Sequence, residues 1–415
     1  MTIDMASTTR RKPAEGLVVA LAGALSLAIA MGIGRFAFTP LLPMMLHDGV
    51  IDLHGGSVLA TANYLGYLAG ALLCMALPGL FRRLGRSTPD NARLVRFALV
   101  MTALLTLAMA LSWPLGWMIW RFAAGVISAL AFVYTSGWCL ARLATLGQGQ
   151  LGGVIFTGPG FGIALSGLAA FAMTASGAAW TLGWIVFGLS AMAMTAVIWP
   201  IFTPEAKQAM RQAPSQAATT SASGRLSLEE GLLTFAYGLA GFGYIVTATF
   251  LPVIARAALP GSVWVDLFWP LFGMAVAVGA LLTRLIPSSI DRRSLLAVCY
   301  VLQGAGVLSS LFMPNVAGFV AGSILLGLPF TTITLFAMQE VRRLRPHEPT
   351  AFMGLMTAAY GIGQIVGPLL VSAVLARSAS EAQGFEISLS IAAASLLLGA
   401  LIYAAMRFRF AITNM

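Results

Sequence analysis

The sequence is dominated by apolar stretches that are long enough to cross a lipid bilayer. The hydrocarbon core of a membrane is about 30 Å thick, so a spanning helix needs roughly 20 apolar residues. Twelve stretches meet this requirement, at 17–46, 56–81, 94–112, 114–141, 150–175, 179–202, 229–255, 262–286, 294–313, 315–341, 351–376 and 385–406. Only 9% of the residues are charged, whereas soluble proteins carry about 25%. The chain is therefore predicted to be an all-α integral membrane protein with twelve transmembrane helices, which excludes a cytosolic enzyme, a secreted domain and a nucleic-acid binder.

The positions of the basic residues indicate how these helices are oriented. Of the 24 lysines and arginines, 20 fall on the side of the membrane that holds the N-terminus, and only Arg256 and Arg377 fall on the other side. Because cytoplasmic loops carry the excess of Lys and Arg, both termini are predicted to be cytoplasmic. The same asymmetry accounts for the net charge of +10 without any nucleic-acid partner.

A polar segment and an internal repeat divide the chain into two halves. Residues 203–226 are rich in Ala, Ser, Thr and Gln, as in flexible linkers, so we predict bundles at 1–202 and 227–415. The pattern G-x-G-[R/Y]-x6-L-P at 32–43 recurs at 241–252, GALL at 70–73 recurs at 279–282, and G-x-G at 160–162 recurs at 361–363. Two pseudo-symmetric six-helix bundles around a central site are the architecture of many secondary transporters.

Several of these motifs resemble those of the major facilitator superfamily (MFS). The segments GIGRFAFTPLLPMM at 32–45 and NYLGYLAGAL at 63–72 resemble its YbfB/YjiJ-like bacterial branch, and WRFAAGVISA at 120–129 resembles its buried-arginine motif. The loop motif G-x-x-x-D-R-x-G-R is only partly kept, because Pro78 and Arg82 replace its first Gly and its Asp. The resemblance implies the MFS fold, a cavity lined by helices 1 and 4, and a monomer.

Two arginines lie within the predicted spans. An arginine at the centre of a membrane helix costs about 2.5–3.5 kcal/mol on insertion scales, so it usually faces a cavity or a partner. Arg35 in helix 1 and Arg121 in helix 4 would lie at comparable depth, and no acidic residue within the spans of this half could neutralise them. We predict that both bind an anionic substrate group, such as a carboxylate, through charge-assisted hydrogen bonds. The alternatives are that Arg121 snorkels to the surface and that Arg35 binds backbone carbonyls freed near Pro40.

Polar and aromatic residues in the other spans are secondary candidates for substrate binding. They could supply the few polar groups that an apolar cavity needs, or they could simply pack between helices. These candidates are Asn63, Tyr64, Tyr67, Tyr134, Tyr244, Tyr360 and Gln364. Asp266, at the start of helix 8, is predicted to be a coupling or gate residue that takes up a proton or pairs with an arginine across the halves. Its alternative role is that of an acid favoured by the helix dipole.

These features favour a secondary active or facilitative transporter that moves a small organic anion across a bacterial inner membrane by alternating access. An intramembrane enzyme would need a nucleophile–base pair, a metal cluster or paired carboxylates within the spans. The three histidines lie in loops, so we expect no catalytic, metal or cofactor site. Proton-driven efflux of drugs or other lipophilic compounds is the main alternative, and a membrane receptor is a further one. Coupling to a proton, exchange for a counter-anion and facilitated diffusion are all left open.

Overall fold

A computed structural model describes residues 6–86, 89–203, 226–262, 264–287, 289–346 and 349–410. Within these ranges every regular element is helical. Except for its two end residues, the linker predicted at 203–226 lies outside the described residues.

Twelve helices among the described residues are long and apolar enough to cross a membrane, which confirms the predicted number of spans. Their ends lie within a few residues of the predicted ones, because the length of each apolar stretch is set by the bilayer. The spans are α1 (Ala14–His47), α2 (Leu53–Arg83), α3 (Asn91–Ala108), α4 (Pro114–Thr145), α5 (Gly149–Ala175), α6 (Trp180–Ile198), α7 (Leu228–Ala258), α8 (Val265–Leu282), α9 (Arg292–Phe312), α10 (Val316–Leu344), α11 (Phe352–Leu375) and α12 (Glu381–Arg409).

Polar side chains fix the starts of several spans. Asp52 and Asp90 accept hydrogen bonds from the backbone N–H groups at the starts of α2 and α3. Ser227 and Glu230 form a reciprocal capping box at the start of α7. Such caps satisfy first-turn N–H groups that have no partner within the helix. They therefore stabilise the start of the helix at these residues.

Glycines allow the helices to pack backbone to backbone. A Cβ atom at Gly32 of α1 would lie 2.4 Å from the Cα atom of Gly162 in α5. A Cβ atom at Gly160, also on α5, would lie 2.5 Å from the backbone N atom of Ala277 in α8. Small residues at such crossings are typical of membrane bundles. The α5–α8 crossing joins the first six helices to the last six, as does the packing of α2 on α11.

Helix α1 is broken in its middle. An α-helix over Ala6–Leu27 is followed by a π-helix over Ala28–Ile33, a turn at 34–37 and a second α-helix over Phe38–His47. Its repeat partner α7 is a continuous helix over Leu228–Ala258. The repeat offset of 209 places Thr249 of α7 opposite Pro40 of α1, and a proline inside a helix removes an N–H donor and kinks the chain. The break puts Arg35 in the turn.

Candidate functional site

A cavity of about 660 Å³ lies between the two halves, and its wall is mostly aromatic and aliphatic. Helices α1, α2, α4 and α5 contribute from one half, and α7, α8, α10 and α11 from the other. The wall reaches Gly149 at the start of α5 and Arg342 near the end of α10. We call this end of the molecule the basic end, because Arg142, Arg293 and Arg343 also lie there, and the opposite end the closed end.

Arg35 lies at the inner limit of the cavity, towards the closed end. Its side chain is 3% exposed, and its Nη2 atom donates a 2.7 Å hydrogen bond to Oε1 of Gln364 in α11. The guanidinium carbon lies 3.9 Å from the ring centre of Tyr67, within the range of a cation–π contact. Among the described residues that line the cavity there is no Asp or Glu, and Arg35 and Arg342 are the two charged ones. The predicted residue Arg35 is therefore placed where it could bind an anion.

Three tyrosines form a stack beside this arginine. The ring of Tyr360 lies between those of Tyr237 and Tyr244, with ring-centre distances of 4.8 Å and 5.8 Å. Tyr237 and Tyr244 are seven residues apart on α7, about two helical turns, so they share one face of the helix. All three line the cavity, and the Tyr244 hydroxyl accepts a hydrogen bond from Nε2 of Gln364. The stack gives the site a large and rigid aromatic wall.

Arg121 is placed differently from the prediction. It is 2% exposed and is not among the residues that line the cavity. Its guanidinium donates to the carbonyl oxygens of Gly34 and Arg35, at 3.3 Å and 3.2 Å. Thr39 donates its N–H to the oxygen of Phe36 instead of to that of Arg35, so the break in α1 leaves the Arg35 carbonyl available. Arg121 therefore braces the turn that carries Arg35, and its side chain is buried instead of reaching the surface as the snorkelling alternative expects.

The secondary candidates separate into two groups. Tyr67, Tyr244, Tyr360 and Gln364 line the cavity, whereas Asn63, Tyr64 and Tyr134 do not. Asn63 donates to the Arg121 carbonyl oxygen, and Tyr64 shares a 2.9 Å hydrogen bond with Thr249. Tyr134 is only partly buried and packs against an apolar cluster formed by Ala30, Cys74 and residues of α3 and α4. The contacts of these three residues are therefore packing contacts and interhelical hydrogen bonds, which was the alternative to substrate binding.

Asp266 forms an ion pair with Arg256, which lies at the end of α7 in the same half of the chain. The predicted pairing with an arginine across the two halves is therefore not what the structure has. Asp266 is also absent from the residues that line the cavity.

Several cavity residues were not among the sequence candidates. Tyr237 lines the cavity and donates to Thr334 at 3.1 Å, and Thr331, Thr357 and Arg342 also lie in the wall. The spacing of seven residues between Tyr237 and Tyr244 is a signal that could have identified Tyr237. Nothing in the sequence distinguishes Arg342 from the arginine that follows it.

Hydrogen bonds between the two halves occur at the closed end. Thr39 donates to the Ala248 carbonyl oxygen at 3.3 Å, and the Tyr64–Thr249 bond lies one residue further along α7. His54 and Ser372 share a bond of 2.7 Å between α2 and α11. Thr39 and Ala248 occupy equivalent positions in the two repeats, so the halves meet here along their pseudo-symmetry axis.

Ion pairs hold the second half together at the basic end. The buried Arg293 binds Asp291, Glu229 and the carbonyl oxygens of Met406 and Phe410. Burial raises the pKa of the Asp291 carboxyl, but its hydrogen bonds to Arg293 outweigh this effect and hold the pKa below its usual value.

The arginines on α10 and just after it differ in their partners. Arg343 pairs with Glu229 and Glu340, and Arg345 pairs with Glu230. Arg342 is exposed and turns to the cavity instead. Glu229, Glu230 and Glu340 thus pair with other arginines, and Arg342 contributes a positive charge to the cavity mouth.

Comparison with known proteins indicates a family and a fold. The family described as "Uncharacterised MFS-type transporter YbfB" matches residues 27–404. No curated protein matches the sequence. A crystal structure of a mutant of the nucleoside transporter NupG has a TM-score of 0.72 and 14% identity, covering 94% of this chain and 100% of that chain. A second NupG structure has a TM-score of 0.65 and 15% identity, covering 95% and 99%. At such identities the likeness shows the fold alone.

Proposed function

The chain belongs to the MFS-type transporters of the YbfB family, and on this premise we propose that it moves a small organic anion, of carboxylate type, by alternating access. The transporter is a multi-pass membrane protein with a small-molecule substrate. One observation carries the anionic substrate class. Arg35 is buried at the inner limit of the cavity with an uncharged amide as its hydrogen-bond partner, and no acidic residue is among the described residues of the wall. A buried cation without a counter-charge is costly, so an anionic ligand would be bound favourably there.

The bound anion would contact residues from both halves. Its charged group would lie on Arg35, while the rest of the molecule would contact Tyr67, Tyr360 and the apolar wall. Arg121 acts indirectly in this proposal, because it holds the turn that presents Arg35. The cavity volume of about 660 Å³ falls within the range usual for sites that enclose small molecules.

The moving parts would be residues 1–202 and 227–415, with a linker at 203–226. We propose that the basic end faces the cytoplasm of a bacterial cell, because the excess of Lys and Arg is there. The cavity then opens to the cytoplasm, and the bonds at the closed end seal the outer face. The protein would act as a monomer, since both halves of the site come from one chain.

Thermal stabilisation of the detergent-purified protein tests the substrate class. The compounds are acetate, benzoate, succinate, inorganic phosphate, uridine and tetraphenylphosphonium. A ligand at 100 times its Kd stabilises the folded state by about 2.7 kcal/mol. We expect a carboxylate to stabilise the wild type and Arg377→Gln, which changes an exposed arginine in the α11–α12 loop, but not Arg35→Gln. If no anion stabilises the wild type, or if Arg35→Gln responds equally, the anionic substrate is refuted.

A nucleoside is the second candidate. The stack of Tyr237, Tyr360 and Tyr244 offers aromatic surface to a planar base, and NupG, with the same fold, is a nucleoside transporter. Stabilisation by uridine that survives Arg35→Gln would favour this candidate. Stabilisation by tetraphenylphosphonium alone would instead favour efflux of lipophilic compounds.

A further inference from the structure

Gln364 connects two equivalent positions of the internal repeat. Arg35 and Tyr244 are related by the offset of 209, in GIGR and GFGY. The Gln364 side chain contacts both, because Oε1 accepts from Arg35 and Nε2 donates to the Tyr244 hydroxyl. Gln364 is 2% exposed, so both bonds lie away from bulk water. One amide thus joins α1 of the first half to α7 and α11 of the second.

The amide is a weaker partner than a carboxylate for a guanidinium group. An arginine and a carboxylate can form two parallel hydrogen bonds between ionised groups, whereas the amide offers one neutral oxygen. Arg35 also has an unsatisfied donor, since its Nε atom is buried and has no hydrogen-bond partner among the described residues. A carboxylate that enters the cavity would therefore be preferred over Gln364 as the partner of Arg35.

The bond from Arg35 to Gln364 belongs to the contacts that close one end of the molecule. The other buried bonds described between the halves in this region join Thr39 to Ala248 and Tyr64 to Thr249, whereas the His54–Ser372 bond is exposed. Each of the two buried bonds joins groups without net charge. Because a hydrogen bond from a charged donor contributes more than a neutral one, the Arg35–Gln364 bond should be the strongest buried polar link across this end.

We propose that Gln364 occupies the place of the transported anion on Arg35 in the empty carrier, and that it thereby holds the closed end shut until an anion displaces it. That Gln364 holds the closed end shut rests on the geometry alone. That it occupies the place of the anion rests on the proposed function. During reorientation, both ends are closed and Arg35 is cut off from water. In this closed state Gln364 would still be a hydrogen-bond partner for the Arg35 guanidinium. The carrier can therefore return without cargo. Because the link favours the state that is shut at the closed end, the protein would support net transport of its anion from the basic end to the closed end, and not only exchange.

Distances between spin labels test the link without any ligand. The labels are attached through Ser112→Cys and Ala379→Cys, two exposed positions in loops of opposite halves at the closed end. The three native cysteines are buried, which favours labelling of the introduced ones. In ligand-free wild type we expect a single short distance. In Gln364→Leu the ratio of long to short distances should rise at least tenfold, the effect of losing one hydrogen bond from a charged donor.

Two further variants separate this role from a general packing effect. Gln303 is also a buried amide, but it bonds the Leu326 carbonyl oxygen within its own half, so Gln303→Leu should keep the short distance. Gln364→Glu supplies a fixed carboxylate and should shift the distances in the opposite direction, towards closure. An unchanged distribution in Gln364→Leu, or an equal shift in Gln303→Leu, would overturn the proposed link.

Thermal stabilisation by acetate and benzoate then tests whether Gln364 occupies the anion's place. In Gln364→Glu the apparent affinity for the stabilising anion should fall at least tenfold, whereas Gln364→Leu should keep the affinity of the wild type. Equal stabilisation of wild type and Gln364→Glu would contradict this part of the proposal. If neither anion stabilises the wild type, the anionic substrate fails, and with it the substitution of Gln364 for an anion, while the spin-label distances still decide on the link.

Discussion

Replacing Arg121 with methionine should destabilise the fold without removing the anion site, whereas Arg35→Met should do the opposite. The two arginines are both buried and lie in neighbouring helices, yet their contacts differ. Arg121 donates to two carbonyl oxygens in the broken part of α1, and Arg35 donates to one side-chain oxygen at the cavity. At both positions methionine keeps an apolar chain similar to the aliphatic part of the arginine, so the comparison isolates the guanidinium group.

The expected magnitude follows from the hydrogen bonds that are lost. A hydrogen bond from a charged donor contributes about 1.5–3 kcal/mol, and the Arg121 bonds of 3.3 Å and 3.2 Å are at the long limit for N–H···O bonds. Two bonds at the lower value give a loss of about 3 kcal/mol for Arg121→Met. Both replacements remove a buried charge, so the difference rests on the number of bonds, and Arg35→Met, which loses one, should cost about 1.5 kcal/mol or less.

Thermal unfolding in detergent, with and without a stabilising carboxylate, measures both effects. For a chain longer than 250 residues, a loss of 1 kcal/mol lowers Tm by at most about 2 °C. Arg121→Met should therefore melt roughly 3–6 °C below wild type. The anion should still raise its Tm, by up to about 2 °C for each kcal/mol by which binding stabilises the folded state. Arg35→Met should melt near wild type and show no stabilisation. If Arg121→Met kept its Tm and lost the response to the anion, Arg121 would be a ligand-binding residue and the bracing argument would be wrong.

Four further outcomes are expected. Gln364→Leu in proteoliposomes should keep exchange of the stabilising anion but lose net efflux at least tenfold, and an equal loss of both rates would contradict free return of the empty carrier. Gly160→Leu should block transport, because its Cβ atom would lie 2.5 Å from the backbone N atom of Ala277 across the α5–α8 crossing, whereas Gly79→Leu, whose Cβ atom would meet no other atom within 4 Å, should be tolerated. Loss of transport in both would point to a general insertion defect. Arg293→Met should lower the free energy of unfolding by about 3–5 kcal/mol, since it leaves Asp291 without its ion-pair partner, and a change below 1 kcal/mol in denaturant titrations would refute this. Arg342→Gln should raise the KM measured from the basic end severalfold, more at low salt, because a charge at a cavity mouth attracts anions over the Debye length. A KM raised equally from both ends would argue against such a local role.

Depth in the membrane follows from the lengths of the apolar stretches, whereas the direction of a side chain around its helix requires the spacing of other polar residues on that helix. The lengths of the apolar stretches fix where each span lies, and they place Arg35 and Arg121 at comparable depth. The structure turns Arg121 towards α1, together with Ser128 and Thr135 on the same helix, which bond to α1 at Ala30 and Ser26. The three residues of α4 are seven positions apart, about two turns, and so share a face.

That spacing is present in the sequence and bears on two of the predicted site residues, Arg121 and Tyr134. A stripe of Arg121, Ser128 and Thr135 favours a helix–helix contact through polar groups rather than a substrate site. Tyr134 is the neighbour of Thr135, so it is rotated by about 100° from the stripe and lies on another face. The position of Arg35 in the cavity has no comparable signal, because it depends on where the helix unwinds.

The unwound turn of α1 is the feature that joins the fold to the proposed function. In a continuous helix the carbonyl oxygen of Arg35 would be bonded to the N–H group four residues ahead, and Arg121 would have no acceptor there. Because the chain turns before Pro40, the Arg35 backbone oxygen accepts from Arg121 while its side chain extends to Gln364 in the opposite half. One residue thus receives support from its own half and makes the link to the other. The repeat partner α7 has Thr249 where α1 has Pro40 and Tyr244 where α1 has Arg35, so the unwound turn and the buried cation occur together in one half. This asymmetry gives the cavity one positive charge at its inner limit, the feature on which the proposed binding of a single anionic group depends.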